Sequence, residues 1–135
     1  MINKFLNMQL IFKSLFFIVA TTIALLSLIS LNLNRTEKIA NISFRLDYLL
    51  HFLAYFALAL FFILWKHKGK KEKKFYVLLI SFGIFFSIFF EIIQIFIPGR
   101  VFNPLDSLFN LIGFVVSIAG YFILKKILIK NEVLN

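Results

Sequence analysis

Polar side chains that could do chemistry are concentrated in three short stretches of an otherwise apolar sequence. The stretches are DYLLHFLAY, EIIQ and DSLFN, and a single arginine lies between the last two. Carboxylates, an imidazole, amides and a phenol can hold a polar ligand, transfer a proton or coordinate a cation. The candidate site residues are Asp47, His51, Tyr55, Glu91, Gln94, Arg100, Asp106 and Asn110.

The spacing of these residues places the polar groups of each stretch on one face of a helix. Asp47, His51 and Ala54 are four and three residues apart, and Tyr55 lies beside His51. The two later stretches lie in runs of polar and small residues with the same spacing of three or four. The run around EIIQ is Gly83, Ser87, Glu91 and Gln94, and the run that begins at DSLFN is Asp106, Asn110, Gly113, Ser117 and Gly120. Each face alone is typical of helix packing through small residues. Three faces with ionisable groups at one end indicate a shared site.

Glu91 is the most costly of these residues because Phe and Ile surround it in the sequence. An acid near the centre of a membrane helix costs on the order of 3 kcal/mol. If the helix continues to Pro98, Glu91 lies about 10 Å below its outer end. We therefore expect Glu91 to be protonated or to face His51, Arg100 or trapped water; a purely structural hydrogen bond to the histidine is the simpler alternative.

The turn between the last two stretches contains the signals for a helix end and a helix start. Pro98 and Gly99 predict the end of one helix, and Asn103 followed by Pro104 predicts the N-cap and first turn of the next. Asp106 is then the third helical residue, so helix capping is an alternative to a ligand-binding role for it.

The composition is that of an integral membrane protein. The chain has 135 residues, 61% hydrophobic, with 20 Phe, no Cys and a mean hydropathy of +0.96. Apolar runs at residues 15–31, 48–65, 75–97 and 107–124 are long enough to cross about 30 Å of hydrocarbon as helices. We predict one all-α domain over residues 1–135, an integral membrane bundle of four transmembrane helices. The first run lacks a small-x-small cleavage pattern, which favours a retained span over a signal peptide.

The distribution of basic residues predicts the orientation. Fifteen Lys and Arg against six acids would suggest nucleic acid for a soluble protein, but here eleven of the basic residues fall before the first run, between the second and third, or after the fourth. These eleven are Lys4, Lys13, Lys66, Lys68, Lys70, Lys71, Lys73, Lys74, Lys125, Lys126 and Lys130. The positive-inside rule then places both termini in the cytoplasm and the turn between Glu91 and Asp106 outside. We expect residues 32–46 to form an outer loop or a short interfacial helix.

The ordered pattern D-x3-H-F-x2-Y, E-x2-Q, P-G-R and D-x3-N-x2-G resembles the VanZ-like family of small membrane proteins, with the strongest match over residues 47–120. The resemblance implies a multi-pass protein of the bacterial cytoplasmic membrane. It also implies a link, in some relatives, with lower susceptibility to the lipoglycopeptide teicoplanin. It implies no particular reaction.

Three functions are compatible with these residues. The leading hypothesis is that the outward-facing site binds the polar head of an envelope amphiphile, such as a lipid-linked precursor, because Arg100 next to a helix N-terminus suits phosphate or carboxylate. The partners would be membrane lipids or a lipoglycopeptide, with no nucleic acid, and the protein could be a homo-oligomer.

The second hypothesis is an enzyme acting on a lipid-linked phosphate or acyl substrate. His51 would act as base or nucleophile, oriented by Asp47 or Glu91, with Arg100 stabilising charge. No recognised catalytic motif is present in the sequence, so we assign no reaction.

The third hypothesis is a small proton-coupled transporter that uses a membrane carboxylate. The position of the ionisable residues at the outer end opposes it. We predict no cofactor, and a metal on His51 is disfavoured because a single imidazole with no fixed second ligand makes a weak site.

Overall fold

The computed structural model describes residues 2–28, 36–39, 42–66 and 73–133. They form four helices and one β hairpin, in the chain order α1, β1, β2, α2, α3, α4. The helices are α1 (Ile2–Leu28), α2 (Leu46–Lys66), α3 (Lys73–Gln94) and α4 (Pro104–Val133), and the strands are β1 (Thr36–Ile39) and β2 (Ile42–Arg45).

All four helices are long and apolar enough to cross a membrane, which confirms the predicted four-span bundle. The candidate spans are Leu6–Leu28, Leu46–Lys66, Lys74–Gln94 and Pro104–Lys126. Large apolar side chains such as Phe85, Val115 and Ile123 are exposed on the outside of the bundle. A soluble protein rarely exposes so much apolar surface, whereas lipid chains would cover it.

The first and last helices begin earlier than the apolar runs suggested. α1 starts at Ile2 rather than near residue 15, and α4 starts at Pro104, three residues before its apolar run, as the N-cap signal at Asn103 predicted. A helix satisfies its own backbone hydrogen bonds, so polar residues such as Asn7 and Lys13 can continue it beyond the most apolar segment. Hydropathy therefore indicates the spans but underestimates the length of these two helices.

The third helix ends earlier than predicted, at Gln94. After it, the backbone N–H groups of Ile95, Phe96 and Ile97 donate to carbonyls three residues earlier, at 3.0–3.1 Å, which is the tighter 3₁₀ pattern. The cause is local, because a proline at position 98 disfavours the α conformation of the residue before it. Glu91 thus lies about 4–5 Å from the end of the regular α-helix, and the 3₁₀ turn continues the chain beyond that end.

The segment predicted to be an outer loop or a short interfacial helix instead contains the β hairpin, while the bundle itself is all-helical as predicted. β1 and β2 pair antiparallel, with Thr36 opposite Arg45 and Ile39 opposite Ile42. Three of these four residues are strand formers with β-branched side chains, which fit a pleated backbone. Pairing also lets the two strands satisfy each other's backbone groups near the apolar bundle.

The bundle is built around a close approach of α2 and α4, the most extensive helix contact in the described structure. A Cβ atom added at Gly113 of α4 would lie 2.2 Å from the backbone oxygen of Phe52 in α2. Only glycine permits this approach, as in other closely packed membrane helices. The contact brings α4 against α2 one residue away from His51.

Aromatic side chains fill the half of the bundle that is remote from this polar end. The ring of Phe62 in α2 lies 5.3 Å from that of Phe16 in α1 and 5.7 Å from that of Phe82 in α3. Trp65 completes the cluster at 5.6 Å from Phe16. Aromatic pairs at these separations add to the packing free energy of the core.

We predict that Gly113→Ala destabilises the protein while Gly120→Ala does not. The added methyl at position 113 meets backbone that cannot move aside, and overpacking of this kind costs about 1–3 kcal/mol. At position 120 nothing lies within 4 Å of the added atom. Thermal unfolding of detergent-solubilised protein, followed by Trp65 fluorescence, measures the effect; equal unfolding temperatures for the two variants would contradict the close approach.

Candidate functional site

A cavity of about 410 Å³ lies where α1 and α3 end and α2 and α4 begin. All eight candidate residues contribute to its lining, together with Arg45 at the end of β2 and the connection between α3 and α4. The helices alternate in direction, so polar residues distant in sequence meet at one end of the bundle. The candidates around the cavity are Asp47, His51, Tyr55, Glu91, Gln94, Arg100, Asp106 and Asn110.

The His51 imidazole is surrounded by side chains from α3 and α4. Its Nδ1 lies 2.9 Å from Asn110 Oδ1 and 4.0 Å from Glu91 Oε1. Its Nε2 lies 3.7 Å from Asp106 Oδ2. The ring is half-buried and lines the cavity. An amide, not an acid, therefore makes the hydrogen bond that orients this histidine.

Glu91 is completely buried, with a relative exposure of 0%. Neither of its carboxylate oxygens has a hydrogen-bond partner in the described structure. The backbone N–H of Asn103 and the Arg100 guanidinium are on its side of the cavity, but neither donates to it with hydrogen-bond geometry. A buried carboxylate without partners is destabilising by itself, so Glu91 is a candidate for direct contact with a ligand.

Asp106 has two roles at the start of α4. Its Oδ1 accepts a hydrogen bond from Asn103 Nδ2 at 2.9 Å, and Asn103 Oδ1 accepts one from the N–H of Leu105 at 3.1 Å. This is the predicted N-cap of the helix. The second oxygen of Asp106 faces His51, so the capping alternative and a role in the cavity do not exclude each other.

Asp47 pairs with Arg45, a residue that the sequence had not marked as a candidate. Two of the three guanidinium nitrogens of Arg45, Nε and Nη2, donate to the Asp47 carboxylate. This hydrogen bond raises the pKa of the Arg45 guanidinium, while partial burial acts in the opposite direction. Asp47 is therefore neutralised at the cavity mouth and does not orient His51. The sequence signal for this pair was the position of Asp47 at a helix start, two residues after an arginine.

Arg100 and Gln94 connect the α3–α4 turn to the rest of the bundle. Arg100 Nη1 donates to Gln94 Oε1 at 3.1 Å, and Nη2 donates to the backbone oxygen of Leu26 in α1 at 3.2 Å. Gly99, with a φ of 81°, makes the reversal that turns this arginine back towards the cavity. The predicted cation at the mouth is thus held in place by α1 and α3.

Tyr55 contributes its ring to the cavity wall, but its hydroxyl is engaged elsewhere. The hydroxyl donates to the backbone oxygen of Phe86 in α3 at 3.0 Å. Ser87 Oγ, on the next residue, donates to the backbone oxygen of Ser107 in α4 at 2.9 Å. These bonds fix α3 against α2 and α4, and they set the height of Glu91 relative to Asp106.

Beside the arginines, the mouth of the cavity carries exposed apolar side chains, in contrast to its interior. Leu26, Leu50, Val101 and Phe102 line it and are 46%, 44%, 79% and 41% exposed. In a membrane these side chains would lie against lipid chains or head groups. The cavity therefore joins a polar interior to an apolar surface.

Three potential metal ligands meet inside the cavity. One ligand atom each of His51, Glu91 and Asp106 lies within 4.8 Å of the other two. The sequence disfavours a metal because it shows one imidazole without a fixed second ligand. It does not reveal that α3 and α4 bring two buried carboxylates close to that imidazole.

Comparison with known proteins adds a family assignment. A family model described as VanZ/LLP1 matches residues 2–125, nearly the whole chain. No curated protein and no solved structure matches the chain significantly.

Proposed function

This chain belongs to the VanZ/LLP1 family, and from that premise we propose that it binds the polar head of an anionic envelope amphiphile at the outer face of the bacterial cytoplasmic membrane. The head group would occupy the cavity between the helix ends, and the hydrocarbon tail would leave through its apolar mouth. The class of ligand is a lipid-linked phosphate or carboxylate.

The observation that carries this proposal is the change of polarity across one opening. The interior offers carboxylate, imidazole and amide groups, whereas the mouth combines two arginines with the exposed side chains of Leu26, Leu50, Val101 and Phe102. Ligand pockets commonly combine an apolar surface with a few polar groups that fix orientation. An amphiphile matches both parts at once, whereas a small hydrophilic solute would leave the mouth unused.

The charges favour an anionic head group that also carries hydroxyl or amide groups. Arg100 is held at the mouth by Gln94 and Leu26, and Arg45 is held there by Asp47. Arginine binds phosphate and carboxylate oxygens through well-directed, charge-assisted hydrogen bonds. The acids and amides deeper in the cavity can accept or donate hydrogen bonds to the neutral part of the head group.

Packing at the other end of the bundle favours binding over transport. The aromatic cluster of Phe16, Phe62, Trp65 and Phe82 fills the space between α1, α2 and α3 there. A proton or solute path would require polar groups in this half, since charged and polar groups mark such paths in membranes. In the described bundle, the polar groups that line the cavity all lie at the end remote from this aromatic cluster.

The proposed orientation places the cavity outside and the lysine-rich end inside. The Nζ atoms of Lys13 and Lys66 lie 5.9 and 4.1 Å from the centroid of the Trp65 ring, far along the bundle from the cavity. Basic residues at one end follow the positive-inside rule, which supports cytoplasmic termini.

The proposal extends to lower susceptibility to lipoglycopeptides such as teicoplanin, the phenotype that the family resemblance implies. A protein that binds an exposed lipid-linked head group, or the lipoglycopeptide itself, would reduce the amount of drug that reaches its target at the outer face.

We predict that purified protein binds a polyprenyl phosphate and not the corresponding polyprenol, and that Arg100→Ala weakens this binding about 10- to 100-fold. The estimate follows from the loss of a hydrogen bond to a charged group, about 1.5–3 kcal/mol. Binding of fluorescent lipid to protein in nanodiscs measures it. Lys126→Ala, which removes an exposed cation from the other end of α4, should bind like wild type.

Arg45→Gln is a second binding variant, because Arg100 also holds α1 and its loss could disturb folding. Equal affinity for phosphate and alcohol, or wild-type affinity in both arginine variants, would overturn the proposal. In cells with matched membrane levels, wild-type protein should lower susceptibility to teicoplanin and Arg100→Ala should not. Absence of protection by wild type would remove the antibiotic role and leave the binding result standing.

The orientation is testable because the chain has no cysteine. We expect a membrane-impermeant maleimide to label Val101→Cys in intact cells, since this position lies at the exposed cavity mouth. Lys126→Cys should react only after the cells are permeabilised. The reverse pattern would place the cavity on the cytoplasmic side and exclude an outer-face ligand.

A further inference from the structure

We propose that His51, Glu91 and Asp106 form a binding site for a divalent metal ion. The site lies at the inner end of the cavity and is distinct from the arginine pair at its mouth. This inference does not depend on the proposed amphiphile, because it stands on the mutual geometry of three side chains.

The three residues come from three different helices and offer three ligand atoms within 4.8 Å of one another. Two ligands of a tetrahedral zinc ion, each about 2.0–2.1 Å from the metal, are about 3.3 Å apart. The 3.7 Å between His51 Nε2 and Asp106 Oδ2 is close to that separation. Glu91 Oε1 lies 4.0 Å from the other ring nitrogen, Nδ1, so the Glu91 side chain must rotate towards Nε2 for all three groups to bind one ion.

The partner of the histidine supports metal binding through Nε2. Asn110 Oδ1 lies 2.9 Å from His51 Nδ1, and an amide oxygen there accepts the Nδ1–H proton. Nε2 then carries the lone pair and points at the Asp106 carboxylate. Metal-binding histidines commonly donate the other ring N–H to an oxygen in this way, which fixes the tautomer and orients the ring.

The second, independent observation is the Glu91 carboxylate. It lines the cavity, is completely buried, and neither oxygen has a hydrogen-bond partner in the described structure. A packing residue at this position would be expected to find donors, since nearly all buried polar groups do. A cation between Glu91, Asp106 and His51 supplies the missing positive charge for both acids.

The ligand types indicate the class of metal. One imidazole and two carboxylates suit Zn²⁺ or Mn²⁺ better than Ca²⁺ or Mg²⁺, which prefer oxygen ligands only. Three protein ligands beside an open cavity leave at least one coordination position for water or a ligand oxygen. Structural zinc sites instead use four protein ligands, so this arrangement is of the open kind.

The test is calorimetric titration of chelator-treated, full-length protein without a histidine tag, using Zn²⁺ and Mn²⁺ alone. We expect one ion per chain, and Glu91→Gln and Asp106→Asn should each weaken binding at least tenfold. Asn110→Leu should weaken it about 10- to 100-fold without removing a ligand. Glu132→Gln, the same chemical change near the end of α4, should bind like wild type.

A spectroscopic measurement on folded wild type covers the case in which a variant fails to fold. In Mn²⁺-loaded protein, electron spin echo spectra should show nitrogen coupling from one imidazole. The chain has two histidines, so His51→Ala should lose this coupling and His67→Ala should keep it. No uptake of either ion by wild type, no nitrogen coupling, or wild-type affinity in the carboxylate variants would overturn the metal site.

The two proposals can fail separately. Binding of polyprenyl phosphate that depends on Arg100 but occurs without metal uptake would refute only the metal site. Uptake of one metal ion without any preference for the phosphate lipid would refute only the amphiphile.

Discussion

The burial of the Glu91 carboxylate inside a bundle of membrane length is the constraint that the polar end of the structure accommodates. A carboxylate that is fully enclosed and lacks hydrogen-bond partners is destabilising. Several neighbouring features determine the surroundings of this carboxylate. α3 loses its α geometry three residues later, which brings Glu91 close to the helix end. Gly113 lets α4 approach α2 so closely that Asn110 reaches His51 Nδ1, the ring nitrogen that also lies 4.0 Å from Glu91 Oε1.

The two ends of the bundle are held together in different ways. Aromatic packing at the lysine-rich end supplies rigid apolar contacts between α1, α2 and α3. At the other end, the helix contacts are made through polar atoms, among them the Tyr55 hydroxyl and the reciprocal serines Ser87 and Ser107. Because the packing of the aromatic half does not depend on the polar half, the polar half can contain an open cavity.

Much of this architecture was predictable from the sequence, because hydropathy and helical period both act over short distances along the chain. The four spans, the cap at Asn103 and the alignment of polar faces follow from such local patterns. The meeting of His51 with two carboxylates depends on contacts between distant segments. The hairpin and the pairing of Asp47 with Arg45 are local, but no turn signal or charge pattern in this segment was strong enough to indicate them. The early end of α3 is an intermediate case. Pro98 is visible in the sequence as a signal for a helix end, but the α geometry is lost several residues before the proline and not directly at it.

The central claim is that Glu91 serves ligand binding and not packing, and the most direct test is the thermal stability of Glu91→Met in metal-free protein. Methionine has a similar length and no charge, so it removes the unpartnered carboxylate and keeps most of the volume. Groups kept for function often reduce stability, so the variant should unfold at the same temperature as wild type or higher. A decrease comparable to the loss of a core side chain would show that the acid stabilises the fold, and would contradict the account.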